Sequence, residues 1–286
     1  MQVNTDELLK TAQNNGFAIG AFNIYNLEGA AAVIQTAEEL ASPVILQLLP
    51  SAIEIGGSPL IAMCLEQAKT ATVPVSVHLD HCSGEETINF ALKARLTSVM
   101  ADGSALRFAA NIEFTRKIVK MVSAYNGCVE AELGKLSGEE DGITIAEREA
   151  HYTNPDQAAD FVRETGVDAL AICIGNVHGK YSRAPELDFD LLETISRRVA
   201  LPLVLHGTSG LPDDFIERAI HYGVCKFNVN TEVRSVYVAS LRENLVTSQS
   251  IELVHLMRDA ISAMQEPVRA KIKLFGSENK AHLFQS

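Results

Sequence analysis

The stretch PLVLHGTSGLPDDFIERAIHYGVCKFNVNT, residues 202–231, decides the fold. It opens on a short apolar run, Pro202–Leu205, and passes into the polar turn His206-Gly207-Thr208-Ser209-Gly210. Leu211-Pro212-Asp213 then places a proline and acids where a helix begins, and an amphipathic run over Asp213–Tyr222 follows. A second short run, Lys226–Val229, ends in Asn230-Thr231. Strand, polar turn, helix and next strand form one βαβ unit, which implies parallel pairing.

The same unit recurs outward in both directions. Strands are expected at Phe17–Phe22, Pro43–Leu48, Val73–Leu79, Ser98–Ala101, Cys128–Glu132 and Ala169–Ile174. Helices are expected at Leu27–Leu40, Glu85–Ala94, Phe108–Tyr125, Asp156–Thr165, Asp188–Val199 and Glu232–Asn244. Eight units of about 30 residues predict closure into a (β/α)8 TIM barrel, an α/β fold. An open doubly wound sheet is the competing architecture, but no GxGxxG follows the first strand. Gly134–Asn154 reads as the longest irregular loop, and Ile251–Ile272 as an extra C-terminal helix. No linker divides the chain, so residues 1–286 are expected to form a single domain.

Composition excludes several classes. Lys plus Arg total 24 against 36 Asp plus Glu, a net charge of −12 that disfavours nucleic acid and anionic membrane as partners. No apolar run reaches the length of a membrane span, and the first residues lack a secretory leader. Five cysteines without a CxxC pair are read as reduced thiols, so a cytoplasmic location is expected.

In a barrel the chemistry gathers where strands end. His81, His178 and His206 reach that rim from three different strands. Three imidazoles with an open fourth position suit a catalytic zinc ion. His78 is read as a core or supporting residue, and His151, His221, His255 and His282 as solvated. Asp80, next to a metal ligand, suits proton transfer. Asp102, Glu130 and Glu132 would anchor the ligands or hold a second cation. Gly179, Gly207, Ser209 and Thr231 surround the loops after strands 6, 7 and 8, the last two of which are where barrels usually bind phosphate. Metal beside a phosphate cup points to a phosphorylated sugar with a polarised carbonyl.

These residues fall in motifs with a wider resemblance: Gly20-Ala-Phe-Asn-Ile, His78-Leu-Asp-His81, Asp102-Gly-Ser104, Val129-Glu-Ala-Glu-Leu-Gly134, Ile174-Gly-Asn-Val-His-Gly179, Leu203-Val-Leu-His-Gly207, Asn228-Val-Asn-Thr231 and Lys273-Leu-Phe-Gly-Ser277. Nearly end to end, the chain resembles the class II, zinc-dependent ketose-bisphosphate aldolases of the fructose and tagatose type. The resemblance implies zinc on His81, His178 and His206, with Glu132 as an alternative metal position. It implies proton exchange by Asp80, and an enediolate held by Asn228 with Asn23 nearby. Gly179, Gly207, Ser209, Asn230 and Thr231 would grip the phosphate of dihydroxyacetone phosphate. Glu140, with Glu139 second, would be the base of a mobile loop. A monovalent cation, Na+ or K+, near the phosphate and a homodimer or homotetramer are further implications. No lysine ends the sixth strand to form a Schiff base.

The chain departs from the family pattern toward the distal end of the substrate. Cys82 follows His81, Leu49 replaces a small hydroxyl residue, Ser182-Arg183 replaces a leading lysine, and Glu252-Leu253-Val254 replaces Asp-Pro-Arg. The expected reaction is therefore retro-aldol cleavage of a ketose 1,6-bisphosphate or a ketose 1-phosphate. A metal-dependent phosphosugar epimerase or isomerase and a non-catalytic aldolase subunit are the other readings.

Overall fold

The computed structural model describes residues 1–140, 143–145, 151–179, 184–247 and 252–284, with the side chains of residues 137–140, 143–145, 178 and 247 outside the description. The elements run α1 (Thr5–Asn15), β1 (Ile19–Asn23), α2 (Leu27–Glu39), β2 (Val44–Leu48), α3 (Pro50–Thr70), β3 (Val75–Cys82), α4 (Glu85–Lys93), β4 (Ser98–Ala101), α5 (Phe108–Ser123) and β5 (Cys128–Leu133). They continue with β6 (Ser137–Glu140), β7 (Ile143–Ile145), α6 (Pro155–Thr165), β8 (Ala169–Ile172), β9 (Val177–His178), α7 (Phe189–Arg198), β10 (Leu203–Leu205), α8 (Asp213–His221), β11 (Val224–Val229), α9 (Thr231–Thr247) and α10 (Leu253–Leu274).

Eight parallel strands close in the order β1-β11-β10-β8-β5-β4-β3-β2. Closure leaves no exposed sheet edge in the barrel, and the helices cover its outer face. Alternation along each strand divides the side chains between two cores. Outward residues such as Phe22, Leu46, Val77, Val99 and Phe227 pack against the helices. Inward residues such as Ile19, Ala21, Ile45, Met100, Ala171 and Val204 fill the lower barrel, where Leu8, Leu9 and Ala12 of α1 close the floor. Higher up, the same inward rows become polar: Asn23, Gln47, His78, Asp80, Glu130, Glu132, His206, Lys226 and Asn228 are all buried. The interior is thus apolar at the floor and polar at the mouth. The extra C-terminal helix is present as α10, and behind it Phe275 stacks on Phe227 with centroids 4.8 Å apart.

Three regions differ from the sequence expectation. Helix α1 was hidden by its polar composition, although its buried face is small. Helix α3 was hidden by Gly56-Gly57-Ser58-Pro59; the helix kinks at Gly57, where φ is +58°. The expected irregular loop at Gly134–Asn154 contains a hairpin instead. β6 pairs antiparallel with β7 and parallel with β9. The register Gly138↔His178 joins this small sheet to the end of the chain segment that follows β8.

Candidate active site

The sequence LDHC at the end of β3 poses a problem, because consecutive strand residues point to opposite faces. The structure resolves it with a bulge. The β3–β4 register shifts between Leu79 and Cys82, and His81 sits at φ +40°. A non-glycine residue in that region is unusual and concentrates at functional sites. The kink turns His81 back toward the mouth, so that Asp80 and His81 both face it.

His81 and His206 meet there. Nε2 of His81 lies 2.8 Å from Nδ1 of His206. Each ring is held from behind by a carboxylate: His81 Nδ1 donates to Asp102 Oδ2 at 2.8 Å, and His206 Nε2 donates to Glu130 Oε1 at 2.9 Å. With both outer nitrogens donating, both inner nitrogens carry their lone pairs toward one point. Asn228 Nδ2 also reaches His206 Nδ1 at 3.0 Å, as a donor to a lone pair would. Carboxylates behind converging imidazoles are the usual support of a metal site. Zinc–nitrogen bonds of about 2.0–2.1 Å set tetrahedral ligand atoms about 3.3 Å apart, within a small side-chain movement of this pair. The donor set therefore fits zinc. Asp80, His81 and His206 form one cluster whose ligand atoms lie within 4.8 Å of one another. His81, Asp102 and Glu132 form a second, with Glu132 Oε2 3.8 Å from His81 Nδ1.

The electrostatics match. Burial first, and then the neighbouring His81, pull His206 below the ordinary histidine value against the opposing Glu130. That favours the neutral, metal-binding imidazole. Burial alone would raise Asp102, but the His81 bond and charge and two bonds from Ser104 outweigh it and hold the carboxyl low. Burial would likewise raise Glu130, but Lys226, His206 and His78 keep it well below the carboxylate range.

Asp80 is fully buried and accepts two amides: Asn228 Nδ2 on Oδ1 and Asn23 Nδ2 on Oδ2, each at 3.0 Å. Asn23 is itself fixed by Gln47 Nε2 at 2.8 Å. This arrangement fixes the carboxylate plane beside the two histidines.

Toward β8 and β11 the rim becomes backbone and hydroxyl. Gly179 and Gly207 have φ of +79° and +62°. Thr231 is the first residue of α9, so a helix N-terminus, whose first N–H groups have no intrahelical acceptor, lies at the rim there. Asn230 accepts from the Tyr25 hydroxyl at 3.0 Å. In the loop after β10, Thr208 is buried on the Asn228 carbonyl, while Ser209 is only half-buried.

Not every expected residue is visible. The backbone of His178 lies in β9 and that of Glu139 and Glu140 in β6, but their side chains lie outside the described residues, as do Ser182 and Arg183. β6 and β9 are paired, so the segments carrying the expected base and the third histidine are neighbours.

Three supports were given no role by the sequence reading. Asn176 ties the loop after β8 to the rim, donating to the His206 carbonyl at 3.0 Å and accepting from Ile174 N at 2.9 Å. Gly175 allows that loop to turn, at φ +110°, where a Cβ would lie 2.4 Å from the Glu186 carbonyl oxygen. Lys226 lies wholly inside the barrel, 2.8 Å from Glu130 Oε2. It stands two residues before Asn228, so strand alternation could have placed it on the same face.

The family model for class II fructose-bisphosphate aldolase matches residues 3–280. The D-tagatose-1,6-bisphosphate aldolase subunit GatY of Klebsiella oxytoca is 41% identical over 280 residues, covering 97% of this chain and 99% of the relative. The crystal structure of the YdjI aldolase from Escherichia coli K12 superposes with a TM-score of 0.88 at 38% identity, over 98% of this chain and 100% of that one. A putative fructose-1,6-bisphosphate aldolase from Coccidioides immitis gives 0.91 at 35% identity, over 98% of each chain. Barrel, polar mouth and sequence agree: the chain belongs to the class II fructose-bisphosphate aldolase family.

Proposed function

We propose that this aldolase is zinc-dependent and cleaves a ketose carrying a phosphate on C1, releasing dihydroxyacetone phosphate and an aldehyde. The observation that carries the reading is the convergence of His81 Nε2 and His206 Nδ1 at 2.8 Å beside the doubly anchored Asp80. His81, His206 and His178 would hold the zinc, with Glu132 serving a second position. Zinc bound there supplies a Lewis acid for the C2 carbonyl.

The protein groups divide the remaining work. Asp80 takes the C4 hydroxyl proton as the C3–C4 bond breaks and returns it in the reverse direction. Its two amide partners keep it aimed, and Asn228, which bonds both Asp80 and His206, would donate to the enediolate oxygen. Glu140 exchanges the proton at C3. Gly179, Gly207, Ser209, Asn230 and Thr231, with the N-terminus of α9, bind the phosphate through N–H and hydroxyl donors. Such local donors are needed because the net charge of −12 repels a bisphosphate.

The 41% identical relative is named for tagatose 1,6-bisphosphate, which makes that sugar the first substrate to test. A monovalent cation beside the phosphate, a homodimer or homotetramer, a single domain over residues 1–286 and a cytoplasmic location complete the reading. No helix among the described residues is long and apolar enough to cross a membrane.

The test is a coupled assay for dihydroxyacetone phosphate with tagatose and fructose 1,6-bisphosphates and several ketose 1-phosphates. Release of dihydroxyacetone phosphate from at least one supports the proposal. Isomerised or epimerised sugar without that product would establish the isomerase reading instead, and no conversion of any would favour the non-catalytic one.

A further inference from the structure

We propose that Lys226 is a positioning residue of the zinc site, acting through Glu130 on the ring of His206. The proposal rests on the reading of His206 as a zinc ligand.

Lys226 is completely buried in the middle of β11, in register with Ile19 on β1 and Val204 on β10. An ammonium at such a depth is costly unless paired, and apolar replacement of a buried pair is often neutral or stabilising. Stability alone therefore gives no reason for the charge. The geometry gives one. Each oxygen of Glu130 has its own partner: Oε2 takes Lys226 Nζ at 2.8 Å, and Oε1 takes His206 Nε2 at 2.9 Å. The lysine thus fixes the carboxylate plane and presents Oε1 to the histidine. His78 is the other basic group close to Glu130, with Nε2 3.7 Å from Oε2, but its Nδ1 is engaged by Ser98 at 2.7 Å.

Two residues further along β11, Asn228 reaches the opposite nitrogen of the same ring, His206 Nδ1, at 3.0 Å. In the metal-free protein one strand thereby reaches both edges of His206: Asn228 directly, at the lone pair that zinc would take, and Lys226 through Glu130. The consequence is a single tautomer, with hydrogen on Nε2 and the lone pair of Nδ1 turned toward His81. Losing support of this kind behind a ligand typically weakens metal binding about 10–100-fold.

The experiment compares full-length wild type, Lys226→Met, Glu130→Gln and the double variant. Zinc affinity is read by competition with a chromophoric chelator, and the His206 tautomer by 15N NMR of the metal-free, histidine-labelled protein. Lys226→Met is expected to weaken zinc at least tenfold and to populate the Nδ1–H tautomer. In the Glu130→Gln background the same substitution should change affinity by less than about twofold, because residues acting in series are not additive. If Lys226→Met does not fold, Lys226→Gln, which also removes the charge beside Glu130, takes its place: the same tenfold loss is expected, and the same wild-type affinity would overturn the proposal. Wild-type affinity and tautomer in Lys226→Met or in the double variant would overturn it, as would equal losses in both backgrounds. His206→Ala is the control for the underlying reading: if it retains wild-type zinc affinity, the ligand assignment itself fails, whatever the lysine does.

Discussion

Replacing Asp80 by Asn removes one charge and one acceptor while leaving the side-chain shape intact. In the native protein Oδ1 and Oδ2 each accept an amide at 3.0 Å, from Asn228 and Asn23. An amide at position 80 retains one accepting oxygen and turns an NH2 group toward a donor. One neighbour must turn over to meet it. Asn228 can do so, because its Oδ1 is buried with no hydrogen-bond partner among the described residues, but it then gives up the bond from Nδ2 to His206 Nδ1. The folding cost is therefore about one buried hydrogen bond, about 1–3 kcal/mol. The catalytic cost is larger, since an amide cannot exchange the substrate proton. Loss of a general acid–base group slows a reaction about 10²–10⁴-fold, about 3–5 kcal/mol at 1.36 kcal/mol per tenfold. The assay measures kcat for dihydroxyacetone phosphate release at saturating zinc, with zinc content and thermal melting recorded on the same sample. A folded, zinc-loaded variant slowed at least a hundredfold is expected. A kcat within tenfold of wild type would refute the role of Asp80 and leave it an orienting residue.

Other perturbations test other parts of the site. Asp102→Asn preserves the acceptor for Ser104 but turns an NH2 toward His81 Nδ1, so zinc affinity should fall about 10–100-fold in a chelator competition. Unchanged affinity would remove Asp102 from the support of the metal. His78 makes stability depend on pH: burial first, and then the charge of Lys226, lower it to about 4. The unfolded chain binds that proton near 6.5, so the unfolded state holds more protons between the two values. Stability is full above about 6.5, and the loss is complete near 4, amounting to about 3 kcal/mol. His78→Asn should lose that much less than wild type over the same range in denaturant titrations, and identical losses would contradict the assignment. Gly175→Ala should destabilise the loop before His178 by about 1–3 kcal/mol, because it combines φ +110° with a Cβ 2.4 Å from the Glu186 oxygen. Wild-type melting of that variant would show that the turn relaxes freely.

The strands were legible because a buried parallel strand announces itself as a short apolar run, and seven of the helices because amphipathic spacing separated those runs. The rim was legible for the same reason: Asn23, Asp80, His206 and Asn228 each interrupt or end such a run. What stayed hidden depended on contacts between distant elements. Nothing local in LDHC says that the strand bulges, yet the bulge is what lets Asp80 and His81 work side by side. Lys226 reads locally as an interruption in a strand; its meaning comes from Glu130, 96 residues away. The β6–β7 hairpin lies in a Gly- and Glu-rich stretch whose composition is that of a loop, and pairing with β9 overrides that propensity. Helix α3 is broken by its own Gly-Gly-Ser-Pro and is held by burial against β2 and β3 rather than by propensity.

The central claim is that His81, His178 and His206 hold a zinc ion on which carbon–carbon cleavage depends. The most direct measurement follows dihydroxyacetone phosphate release by one preparation as isolated, after chelation with zinc content measured, and after zinc is restored. The account predicts activity that disappears with the metal and returns with it in proportion to zinc bound. Full cleavage by a preparation shown to be free of zinc and other divalent metals would contradict it.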